Sequence, residues 1–173
     1  MYEFTYHKAS SVADAAAKVS SADDGVLMAG GMTLIPTLKQ RLAMPSDVVD
    51  LAGVGDLAGI SVKDGVVSIG AMARHDAVAN STDVKGAIPA LAALAGGIGD
   101  PMVRNRGTMG GSVANNDPAA DYPAAVLGLG ATVVTDKRSI AADDFFKACS
   151  RRRWNPARSS PGSTSRSRSG PPM

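Results

Sequence analysis

The stretch MAGGMTL, Met28 to Leu34, follows the short apolar run that begins at Gly25 and precedes leucines at 34, 38 and 42. An apolar run that ends in two glycines and passes through a threonine into a period-four leucine pattern reads as strand, turn and helix. Thr33 is then the expected cap, and Pro36 is tolerated in the first turn. Such a turn leaves backbone N–H groups unpaired at the positive end of a helix, where an anion is stabilised. Glycine suits the turn because a β-carbon would restrict the backbone and hold a phosphate away. The same pattern also describes a tight strand-to-helix turn with no ligand, and the stretch alone leaves both readings open. It is not a P-loop, since Gly31 stands where lysine belongs after Gly25 and Gly30, and no G-x-G-x-x-G occurs in the chain.

Outward from this turn, YEFTY (2–6) alternates like a strand. SSVADAAAKVSSA (10–22) reads as a helix with a capping box of Ser11 and Asp14, its apolar face carrying Val12, Ala15, Ala16 and Val19. DVVDL (47–51) is a third strand. This makes a small α/β lobe over about residues 1–52. Beyond it, GISV (59–62) and VVSIGA (66–71) flank an Asp64-Gly65 step, a hairpin signal. Helices are expected around Arg74 to Asn80, around Ile88 to Ala95, and from Asp121 to Leu127. A strand at ATVVT (131–135) and the segment SIAADDFFK (139–147) close the pattern. The second lobe, about residues 53–147, mixes antiparallel strands with helices, so the whole is α+β.

A second glycine stretch, RNRGTMGGSVANNDPAAD (104–121), places Gly107, Gly110, Gly111, Thr108, Ser112 and two asparagines within a dozen or so residues. It reads either as a nest of inward N–H groups for oxyanions or as a solvent-exposed polar loop. Two anion-binding turns from two lobes suit a diphosphate in the cleft between them. Hydrogen bonds to charged groups contribute about 1.5–3 kcal/mol each, so four or five reach the roughly 8 kcal/mol of micromolar binding without a lysine.

AGGMTLIP, GDPMVRNRGTMGG and SVANNDPAADYPAAVLGLGATV together resemble the FAD-binding medium subunit of molybdenum hydroxylases, particularly the aerobic carbon monoxide dehydrogenase type, over about Met1 to Lys147. The resemblance implies the two-lobed FAD-binding fold of vanillyl-alcohol-oxidase or PCMH type. It implies that Ala29, Gly30, Gly31, Met32 and Thr33 wrap the FAD pyrophosphate together with Thr108, Met109, Gly110, Gly111 and Ser112. Asp121 would accept hydrogen bonds from the flavin's sugar-like chain; from the residues alone, a helix cap is the preferred reading. The implied role is electron transfer from a small subunit's iron–sulfur clusters through FAD to an external acceptor, with the molybdenum cofactor on a large subunit. No catalytic side-chain set is expected, because the isoalloxazine does the chemistry.

Composition fits this division of labour. The first 147 residues hold 12 basic and 16 acidic groups and no cysteine, which excludes disulfides and cysteine-held clusters there. Uncharged runs reach only 14 residues, GAIPALAALAGGIG and YPAAVLGLGATVVT, short of the roughly 18 of a membrane span. The opening MYEFTYHKAS carries no export signal, so a cytoplasmic location is expected. His7 and His75 have no metal-site spacing, and His75 reads as a helix-start residue. Arg104 and Arg106 read as surface or salt-bridge residues, with a phosphate contact as the alternative. Met28, Met32 and Met109 read as packing. From Ala148 the chain turns to six arginines, seven serines and four prolines without an acid, and contains Cys149 and Trp154. A disordered tail is expected there, explained either as out-of-frame translation or as a phosphate-binding arm for nucleic acid. The rival to the flavoprotein reading is a non-catalytic nucleotide-binding or assembly module on the same scaffold.

Overall fold

The structure, a computed structural model, describes residues 1–146; the expectations for Lys147 and the Arg/Ser tail lie outside the described residues. β1 (Thr5–Lys8), α1 (Val12–Ser21), β2 (Gly25–Met28), α2 (Leu34–Lys39) and β3 (Asp47–Asp50) follow in chain order. The strands form a parallel sheet in the order β1-β3-β2, with Val49 paired to His7 on one side and Leu27 on the other. A parallel sheet needs a crossover between neighbours, and α1 and α2 supply the chain for it. Ala9, Ala15, Val49 and Val54 form the first core.

The expected cap of α1 is present: Ser11 Oγ accepts from the Asp14 N–H at 3.1 Å. The reciprocal bond falls one residue earlier than a capping box requires, with Asp14 accepting from the Ser10 N–H at 2.9 Å. Asp14 also holds Lys18 at 2.6 Å, and this ion pair draws its carboxyl down to about 2. β1 begins at Thr5 rather than at Tyr2, which is half exposed. The leucine repeat of α2 stops after Leu38. Arg41 takes a left-handed φ of 58°, and the N–H groups of Arg41 and Leu42 close back on the Leu38 and Thr37 carbonyls. This is the helix-ending turn that usually employs glycine, and it leaves Leu42 73% exposed.

A 3-10 turn at Gly55–Leu57 leads to the hairpin of β4 (Ile60–Lys63) and β5 (Val66–Ile69). Asp64 and Gly65, at φ 51° and 76°, make the expected tight turn. Six short helices follow: α3 (His75–Asn80), α4 (Thr82–Ala87), α5 (Pro89–Gly97), α6 (Pro101–Arg106), α7 (Met109–Asn115) and α8 (Asp121–Gly128). β6 (Thr132–Val134) and β7 (Ser139–Ala141) pair antiparallel, and helical backbone occupies 142–146. Their core gathers Val78, Val84, Leu91, Ala95, Tyr122 and Val126. The class is α+β. No helix among the described residues is long and apolar enough to cross a membrane.

Candidate glycine-turn site

β2 delivers its chain directly into Ala29–Thr33, and Gly31 turns it with a φ of 75°. The Gly31 carbonyl accepts the Ile35 N–H at 2.9 Å and so starts α2. Thr33 occupies the cap position without capping: its own backbone is already helical, φ −100° and ψ −45°, and its hydroxyl makes no cap bond. That corrects the expectation for Thr33, because a side-chain cap works from an extended backbone. Among the described residues, the N–H groups of Ala29, Gly30, Gly31, Met32 and Thr33 donate to no protein acceptor. Five open amides in succession, half-buried to exposed apart from Gly31, are the donor set an anion requires.

The second glycine stretch departs from an open nest. Thr108 caps α7, its Oγ1 accepting from the Gly111 N–H at 3.1 Å, and its carbonyl accepts from the Ser112 N–H. The segment 71–75 runs alongside: the Met109 and Gly110 N–H groups donate to the Ala73 and Ala71 carbonyls at 2.9 Å each, and the His75 N–H donates to the Gly107 carbonyl at 3.1 Å. The amides from Met109 to Ser112 therefore all have partners, and much of the expected loop is the first turn of a helix. Gly110 is required for close packing, since a β-carbon on it would sit 2.5 Å from that of Ala71. No periodicity in the sequence signals this bracing, which is a pairing between strands of chain more than thirty residues apart.

The two turns touch. A β-carbon on Gly30 would overlap the Arg106 carbonyl and lie 2.9 Å from the Gly107 Cα, and one on Gly111 would lie 3.4 Å from the Ala29 Cβ. The open amides of the first turn thus border the braced end of α7. The hydroxyls of Thr33 and Ser112 have no partner among the described residues.

Asp121 opens α8 but does not cap it; the cap position is Ala120 and no side chain bonds there. The nearby Asx turn belongs to Asp117, which accepts from the Ala119 N–H. Asp121 is exposed, and its charge reaches two buried rings behind it, His75 and Tyr122, whose centroids are 5.2 Å apart. Burial pushes the His75 imidazole below its ordinary value, against the opposing pull of Asp121. Burial pushes the Tyr122 phenol well up, and Asp121 adds to the rise. His75 is the first residue of α3, as its position in the sequence implies.

Arg104 Nη1 donates to the Ile98 carbonyl at 2.7 Å, and Arg106 is exposed. Met109 packs on the second core. His7 meets Asp47 at 2.7 Å on the parallel sheet, and no cluster of metal-ligating side chains exists among the described residues. A shallow open depression lined by Glu3, Phe4, Thr5 and Ser46 contains none of the expected site residues.

The α+β scaffold brings the open glycine turn after β2 against the braced start of α7. Residues 2–158 match the family described as the FAD binding domain in molybdopterin dehydrogenase, and the chain belongs to that family. It is 40% identical over 149 residues to the carbon monoxide dehydrogenase medium chain of Afipia carboxidovorans, covering 83% of this chain and 52% of the relative. It is 38% identical over 145 residues to the nicotine 6-hydroxylase medium subunit of Paenarthrobacter nicotinovorans, covering 82% and 51%. Among solved structures, carbon monoxide dehydrogenase from Hydrogenophaga pseudoflava superposes with a TM-score of 0.80 at 38% identity, over 83% of this chain and 52% of that one. The chain spans about half the length of these relatives.

Proposed function

We propose that this chain holds the FAD of an electron-transfer subunit in a molybdenum hydroxylase. The observation that carries the reading is the contact of Gly30 with the Arg106 carbonyl, which sets five open amides beside the start of α7. Ala29 to Thr33 supply the donors for the FAD pyrophosphate. Thr108, Met109, Gly110, Gly111 and Ser112 supply the rigid facing wall, to which Ser112 adds its free hydroxyl. Asp121, exposed at the start of α8, accepts from the hydroxyls of the flavin's sugar-like chain. FAD, when bound, supplies the redox chemistry, taking up electrons singly and holding two. The residues of the chain bind and orient it.

By the same reading the lobes are about 1–52 and 53–147, followed by the tail at 148–173. The partners are an iron–sulfur small subunit and a molybdenum-cofactor large subunit, and the complex works in the cytoplasm. The names "medium chain" and "medium subunit" carried by the relatives support a hetero-oligomer. The test is an absorption spectrum of the purified chain after addition of FAD and desalting. Retained flavin bands are the expected result. A colourless protein that still binds a plain nucleotide would replace the reading with that of a non-catalytic nucleotide-binding module.

A further inference from the structure

We infer that His75 and Tyr122 act as a positioning couple, joining the second glycine turn to α8 and so fixing where Asp121 stands. The inference rests on the proposed FAD site. His75 grips the turn twice: its N–H donates to the Gly107 carbonyl at 3.1 Å, and its Nε2 lies 2.5 Å from where a Gly107 β-carbon would be. Its ring then meets that of Tyr122, the neighbour of Asp121 in the first turn of α8. Movement of the turn is passed through two rings to the carboxylate.

The couple is more polar than packing requires. Tyr122 is fully buried and His75 is 5% exposed, yet Tyr122 Oη and His75 Nδ1 have no hydrogen-bond partner among the described residues. Buried polar atoms are nearly always paired, and Phe at 122 would fill the same core without an orphan hydroxyl. Two unpaired polar atoms in this couple, one of them on the residue next to Asp121 in α8, point to a use in orienting that carboxylate.

The charged and titratable groups on the elements around His75 are Asp121 and Tyr122 on α8, Arg104 and Arg106 on α6, and Asp83 and Lys85 on α4. Arg74 and Asp76 are its chain neighbours, and α5 brings none. Of these only Asp121 exerts a charge effect on the ring. A charge on His75 and the charge on Asp121 therefore attract one another, which couples the protonation of the ring to the carboxylate.

The test is FAD titration of the full chain by flavin fluorescence from neutral to mildly acidic pH, with thermal melting in parallel. Tyr122→Phe is expected to melt at the wild-type temperature or above, yet weaken FAD binding about tenfold, a size usual for coupled neighbours. His75→Ala should weaken binding similarly. His75→Gln, which cannot take up the proton, should recover most of that loss and flatten the acid-side fall in affinity. A purely structural role would flatten that profile only as far as it flattens the acid-side fall in melting temperature measured in parallel. A wild-type chain that retains no FAD overturns the site reading together with the inference. A wild-type chain that retains FAD, alongside His75→Gln and Tyr122→Phe variants with its affinity and pH profile, overturns the inference alone.

Discussion

MAGGMTL and TMGGSV both set a glycine pair beside a hydroxyl residue. In the first turn the amides are open and the threonine hydroxyl is free; in the second the amides are bonded to the 71–75 segment and to Thr108, and the threonine is a working cap. The difference arises from what lies beside each turn. The first leaves the end of a parallel strand and packs on Arg106 and Gly107 without donating its amides to them. The second is flanked by the segment 71–75, whose carbonyls take amides that a helix start would leave open. Glycine therefore has different causes at the two places. Gly30 admits a neighbouring backbone beside a turn of open amides, and Gly110 admits Ala71 into a packed joint.

The largest effect is expected from replacing Gly30 and Gly110 together by valine, which should abolish flavin bands after desalting. Separating the two positions tests the contrast. Gly110→Ala forces a β-carbon into Ala71 and should destabilise the fold by about 1–3 kcal/mol in urea unfolding, the range for overpacking. The threonines should respond in opposite ways. Thr108→Val removes a cap and should lower stability by about 1 kcal/mol. Thr33→Val should change stability by less than about 0.5 kcal/mol while weakening FAD, since its hydroxyl bonds nothing in the protein. Equal stability losses at the two threonines would break the distinction.

The smallest effect is one of pH. His75 has a depressed value in the folded chain, so its neutral form is favoured there. Its contribution is fully present above the ordinary imidazole value of about 6.5 and is lost as pH falls below that toward the folded value. Urea midpoints should decline over this acid window, and less so in His75→Gln.

Features governed by neighbours in sequence were legible. The strand, glycine turn and helix around Gly30, the Ser11 cap, and the Asp64-Gly65 hairpin each depend on residues a few places apart. Features settled by distant chain were not. MGGSVAN reads as a loop because glycine disfavours helix by about 1 kcal/mol per residue, yet it forms α7 once Thr108 caps it and Ala71 and Ala73 take its first amides. α4 and α6 are single short helices with caps at Ser81 and Asp100, too brief for an apolar period to register. Nothing in the leucine spacing reveals that Arg41 turns left-handed and throws Leu42 outward.

Gly30 rests on the Arg106 carbonyl, so the two glycine turns meet backbone to backbone along a line. An FAD bound as proposed would span that line and be held from both sides at once. Partial melting of either core would release it, and a tightly held occupant would merge two unfolding transitions into one by mass action.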